Sequence, residues 1–130
     1  MRVWFLAFGL VTAFVVQAVA ADDARFLKSL TKLAPNERLI QICDYTALKQ
    51  IRTDARNFRP ERAVAAAGAD VKTKNDTIEA TSGAFRSRGK WYALTYTCTG
   101  SPDHLQVVSF RYKIGDEIPE SKWAGFGLWD

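Results

Sequence analysis

With 130 residues, 18 Lys and Arg against 14 Asp and Glu, and a single histidine, the chain is mildly basic at +4. That length allows one small domain, and the charge falls well short of a nucleic-acid-binding footprint, so no nucleic-acid partner is expected. One histidine and two cysteines leave no clustered metal-ligand set, and without a phosphate loop or a nucleophile elbow no cofactor is expected either.

The first twenty residues read as an address. Arg2 forms a short basic n-region, Val3 to Val16 is an uncharged apolar run, and Ala18-Val19-Ala20 puts small residues where signal peptidase needs them. The expectation is cleavage after Ala20 and no membrane span thereafter, because ~20 apolar residues are needed to cross a bilayer and this run stops at Gln17. The mature chain keeps seventeen cations against fourteen acids, a charge of +3. Its two cysteines, Cys43 and Cys98, read as one disulfide of an oxidising compartment. Closing a loop of 54 residues stabilises by roughly 4 kcal/mol in the chain-entropy account.

After the leader, residues 21–36 form a helical segment and residues 37–130 a single α+β domain. In "FLKSLTKL", Phe26, Leu27, Leu30 and Leu33 share one helical stripe. Pro35 closes that segment and suits the first turn of the next. From Glu37 on, Leu39, Ile40, Cys43, Ala47, Leu48 and Ile51 recur at helical spacing. The pattern ends at "NFRPER", where Pro60 favours extended backbone. Four strand-like runs follow: Arg62–Ala69, closed by the polar "KTKND"; Thr77–Arg86, with Gly83 a candidate bulge; Lys90–Thr99; and Leu105–Ile114. The tail reads as a short helical turn followed by coil.

The cysteines set the faces of the third run. If Cys98 bonds Cys43 on the helix stripe, Tyr92, Leu94, Tyr96 and Cys98 face the helices, and Trp91, Ala93, Thr95, Thr97 and Thr99 face away. An Arg88-Gly89 turn pairs Phe85 with Tyr92 inside and Arg86 with Trp91 outside. A five-residue loop, Gly100 to His104, sets Thr99 opposite Leu105, Leu94 beside Phe110 and Tyr92 beside Tyr112.

Candidate chemistry is sparse. Asp103-His104 is the one acid–base pair with an imidazole, but "SPDH" is turn chemistry and reads as a solvated loop. Asp116 and Glu117 could act as paired carboxylates, but adjacent acids before Ile118-Pro119 more often decorate a turn. Basic side chains are more suggestive. Arg86, Arg88 and Lys90 lie at one hairpin and Arg111 and Lys113 near the end of the last strand, so Arg86, Arg88, Trp91, Arg111 and Lys113 form a candidate binding surface around an exposed tryptophan. Two competing readings stand beside it. The cations protect a sheet edge from aggregation, or the tail, through Trp123, Phe126 and Trp129, folds over this face and makes Trp91 core.

"RLIQICD" (38–44), "FRPER" (58–62), "FRSRGKWYALTYTC" (85–98), "SPDH" (101–104) and "VSFRYKIGDEIP" (108–119) together resemble domain-of-unknown-function family 930 over roughly Glu37 to Trp123. The resemblance implies a small exported, alphaproteobacterial envelope protein and carries over no catalytic residue. The combined expectation is an α+β fold, with N-terminal helices packed on a four-stranded, mostly antiparallel meander and one disulfide. Its expected role is non-catalytic: a periplasmic or secreted interaction protein that binds an anionic or glycan-bearing envelope component. Two alternatives remain open, an inhibitor of cell-wall hydrolases and a hydrolase using Asp103, His104 or Asp116.

Overall fold

A computed structural model describes residues 23–130; the expected signal peptide and cleavage site lie outside the described residues. Helix α1 spans 23–30 and α2 spans Pro35–Asp54, with Pro35 in its first turn, where a fixed φ is pre-organised and the missing N–H costs nothing. No side chain caps the start of α2. Instead Arg38, inside its first turn, reaches back and donates to the carbonyls of Leu30, Thr31 and Leu33 and across to that of Asp103. One guanidinium thus satisfies carbonyls left open at the end of α1 and ties both helices to the loop before the last strand.

The sheet comprises β1 (Pro60–Val64), β2 (Lys72–Lys74), β3 (Thr77–Ser87), β4 (Lys90–Gly100) and β5 (Val107–Glu117). All its strand pairs are antiparallel, in the order β1-β3-β4-β5, with β2 on the other end of β3. Two expectations need correction here. The first strand run stops at Val64 and not at Ala69, because the Ala67 and Gly68 amides both turn to the Ser82 carbonyl. "KTK", expected as a closing turn, is a strand, joined to β3 through Asn75 in the left-handed region at φ 54°; asparagine tolerates that conformation. The change of partner along β3 falls at Gly83, where its own pairing with β4 is bulged. A Cβ there would lie 2.8 Å from the Leu94 carbonyl oxygen and 2.9 Å from that of Val64, so only glycine lets both neighbours approach.

The β3–β4 hairpin keeps the expected register, with Phe85 opposite Tyr92 and Arg86 opposite Trp91. The β4–β5 pairing does not. Leu94 faces Ile114, Tyr96 faces Tyr112 and Cys98 faces Phe110, four residues along from the expected partners. A loop closed by Ser101 N–H to the Gln106 carbonyl consumes the residues assigned to the start of the strand. The slip is even, so every side chain stays on its predicted face.

That inner face builds the main core. Ile78, Phe85, Leu94, Tyr96 and Cys98 pack on Leu39, Ile42, Cys43, Ala47 and Ile51 of α2, and Leu30 of α1 joins them. The first helix therefore shares the core of the domain. Cys43 and Cys98 are bonded with their Cα atoms 6.0 Å apart. Two residues of the predicted helical stripe, Ile40 and Leu48, are only half-buried, while Ile42 and Asp44 lie inside. No helix among the described residues is long and apolar enough to cross a membrane.

Candidate functional site

The tail decides what the outer sheet face can do. Helix α3 (Glu120–Trp123) runs into a 3₁₀ turn at Ala124–Phe126, and Gly127, at φ 69°, reverses the chain. Trp123 and Leu128 then pack on Ala84 and Trp91 in a second core. Trp91 is 0% exposed, which corrects its placement as an exposed stacking surface: the tail folds over this half of the sheet. Two donors pin it there. Trp91 Nε1–H and Arg86 Nη1–H both donate to the Trp129 carbonyl, at 2.8 and 2.7 Å. Arg86 also pairs with Glu61 at 3.6 Å, so its charge serves the anchor. Arg88 sits in the hairpin turn at φ 51°.

Arg111 and Lys113 are different. They stand opposite Thr97 and Thr95 on the end of the outer face that the tail leaves open, and neither forms an ion pair among the described residues. With Glu79 and Thr81 they border a shallow trough of about 360 Å³. Beside it, sharing Thr81 and Thr95, is a hollow of about 320 Å³ lined by Ala67, Ala93, Ile118 and Phe126. The five predicted binding residues are therefore divided: two hold the tail, one tips a hairpin, and two remain on open sheet.

Asp103, His104 and Asp116 do not converge. His104, expected to be solvated, is 6% exposed; its ring nitrogens meet the Pro35 carbonyl at 2.7 Å and the Asp76 carboxylate at 2.9 Å. It bolts the loop to the start of α2 and to the β2–β3 turn. The Asp103 carboxylate accepts instead from the Ser101 hydroxyl and the Leu105 amide, and those bonds hold its pKa below the usual carboxylate value. Asp116 lies at the far end of β5, some ~30 Å away at the rise of an extended strand.

The sequence reading missed the carboxylate with the most altered chemistry. Asp44, next to Cys43, is buried and accepts from the Tyr96 hydroxyl at 2.8 Å. Burial pushes its pKa up to about 7 against the hydrogen bonds from Tyr96 and the Ala65 amide. Its signal was its place between buried Cys43 and Ala47 on α2, where an acid breaks the apolar pattern. Asp44 also lies on the wall of a groove of about 210 Å³ between α2, β1 and Trp129.

The family model described as Domain of Unknown Function (DUF930) matches residues 30–128, most of the chain. The chain belongs to this family. No curated protein and no solved structure matches it. The DUF930 span takes in α2, the whole sheet, the disulfide and the tail to Leu128. Of the anchored pair, Trp91 lies inside the DUF930 match and Trp129 one residue beyond it.

Proposed function

We propose that the protein is a non-catalytic, exported interaction module for an anionic or glycan-bearing envelope component, whose anionic groups dock on the open end of its outer sheet face. The observation that carries this reading is the pair Arg111 and Lys113, neighbours on one face of β5 opposite Thr97 and Thr95, and without an ion pair among the described residues. Exposed cations without partners attract anions in a salt-dependent way over roughly one Debye length, ~8–10 Å at physiological ionic strength. The apolar hollow next to them suits the less polar part of the same ligand. A Cys43–Cys98 bond favours an oxidising compartment, the periplasm or the exterior, in keeping with the signal-like first twenty residues. The scattering of Asp103, His104 and Asp116 favours binding over hydrolysis.

The test is co-sedimentation of the mature chain with vesicles containing phosphatidylglycerol and with isolated envelope fragments, at low and high salt. Retention that falls with salt and is lost in Arg111→Ala/Lys113→Ala supports the reading. Retention equal in variant and wild type removes this face from the interaction.

A further inference from the structure

The groove at the free edge of β1 combines features that the open sheet face lacks. Trp129 is 46% exposed, yet it is among the most firmly held residues of the tail. Its carbonyl accepts two side-chain bonds, from Arg86 and Trp91. Its ring meets that of Trp91 edge-on, with centroids 5.3 Å apart, and the Arg62 guanidinium lies 5.7 Å from its centroid. A large ring could have been buried by the neighbouring contacts of the tail, as Trp123 and Leu128 are. Trp129 is instead fixed in place with half its surface in water.

What it borders is mixed. Phe26, Leu48, Ala63 and Val64 give the groove apolar walls, and between them α2 contributes Gln41, Asp44 and Tyr45, and β1 contributes Glu61 and Arg62. Carboxylates, a carboxamide and a guanidinium are planar groups that bond two neighbouring hydroxyls at once. Asp44 and Trp129 are held by bonds to β4 and to β3 and β4, respectively, so they need little ordering when a ligand arrives. At about 210 Å³ the groove is smaller than the ~300–1,000 Å³ typical of drug-sized ligands, and it fits one ring of a chain whose neighbours leave along the surface. An aromatic face offers the C–H side of a pyranose an apolar surface, while planar polar groups take its hydroxyls.

We infer that this groove is a saccharide-binding site, in which a pyranose ring of a glycan stacks on Trp129 and bonds through Gln41, Glu61 and Arg62. The inference rests on the proposed binding role and assigns its glycan half to a surface separate from Arg111 and Lys113. The two can therefore fail independently.

The experiment is a two-dimensional amide NMR titration of the mature, disulfide-bonded protein with chitotetraose and, separately, with cellotetraose. The expected result is saturable shifts at the Trp129 indole N–H and the Gln41 side-chain amide with one of them at millimolar or lower concentration; which sugar acts separates an N-acetylhexosamine from a plain hexose. Trp129→Ala is expected to weaken binding at least about tenfold, near 1.4 kcal/mol. Gln41→Ala, at an exposed helix position, should weaken it several-fold at unchanged melting temperature, which guards against Trp129→Ala simply loosening the tail. Arg111→Ala/Lys113→Ala should leave it intact. Absence of shifts at Trp129 and Gln41 with both sugars overturns the assignment, as do shifts centred on Arg111 and Lys113, or wild-type affinity in the Gln41 and Trp129 variants.

Discussion

Tyr96 donates its hydroxyl to Asp44 at 2.8 Å inside the core, one residue from the disulfide on α2 and two on β4. Folding takes this carboxyl from an ordinary value of 3.8 to about 7, with burial the main cause. The folded state therefore binds a proton more tightly than the unfolded chain. Below pH 4 both states are protonated and the contribution to stability is complete. Between about pH 4 and 7 the unfolded chain ionises first, and stability falls by at most roughly 1.4 kcal/mol per pH unit. Above pH 7 the loss is complete and flat. Asp23, Asp54 and Asp103, whose values are lowered, act in the opposite sense near pH 4 and below. The two are separated by comparison with Asp44→Asn. Urea melts from pH 4 to 8 should show wild type losing stability relative to the variant as pH rises. Parallel profiles would mean that Asp44 does not titrate in this window.

The Cys43–Cys98 bond ties α2 to the inner face of β4 across a sequence separation of 55 residues. Cys43→Ala/Cys98→Ala should lower stability by roughly 4 kcal/mol in the chain-entropy account, a large part of what a domain of this size commands. Melting in the presence and absence of a reductant measures it directly. A wild-type midpoint insensitive to reduction would show that the core alone holds the helix to the sheet.

Gly83 offers a sharper local test. A methyl group at this position meets backbone oxygens of Leu94 and Val64, which have nowhere to go. Gly83→Ala should destabilise by about 1–3 kcal/mol through overpacking, with amide exchange loosened where β1 hands over to β2 along β3. Gly89 makes the contrast. It has open space around a would-be Cβ but sits at φ 78°, so Gly89→Ala should act through backbone strain in the hairpin and leave the bulge protected.

Much of this architecture was legible because alternation of period two survives local errors. The β4–β5 register was wrong by four residues, yet Tyr92, Leu94, Tyr96 and Cys98 still face α2, since parity depends only on the strand and the position of Cys98. The hairpin at Arg88-Gly89 was read correctly because a two-residue turn leaves no freedom of register. Longer connections were opaque. "KTKND" is polar throughout, so nothing in its pattern distinguishes a short edge strand from a turn. His104 reads as solvated because its partners, Pro35 and Asp76, lie 69 and 28 residues away. The fate of Trp91 depended on where the tail goes, and glycines at 125 and 127 leave that path unspecified at the level of sequence. The candidate saccharide groove escaped for the same reason, because Trp129 reaches α2 and β1 only after the reversal at Gly127.

The placement of His104 changes what its removal should do. A solvated loop histidine would be dispensable, whereas this ring joins two separate segments and is almost entirely buried. His104→Ala should cost about 1–3 kcal/mol, the loss of two hydrogen bonds worth about 0.5–1.5 kcal/mol each. Amide exchange should rise at the start of α2 and in the β2–β3 turn. A melting temperature equal to wild type would show that water replaces both bonds at no cost and reduce the histidine to a loop residue.

Trp91 and the pair Arg111/Lys113 began as parts of one hypothetical surface, and their separation yields the most decisive contrast. Trp91 is a fully enclosed indole beneath the tail, and truncating such a ring usually costs 3–5 kcal/mol. Loss of its bond to the Trp129 carbonyl should also release the last residues of the chain. Trp91→Ala together with Arg86→Ala should therefore unfold or deeply destabilise the domain. Arg111→Ala and Lys113→Ala touch neither core nor ion pair among the described residues, so they should stay within ~0.5 kcal/mol of wild type. If the proposed role is right, they remove salt-dependent retention on anionic vesicles while the melting curve is unchanged. Thermal melts and co-sedimentation of these variants, with Trp91→Ala alone beside them, resolve it. Stable Trp91→Ala protein with impaired retention would return the binding surface to the tail-covered half of the sheet.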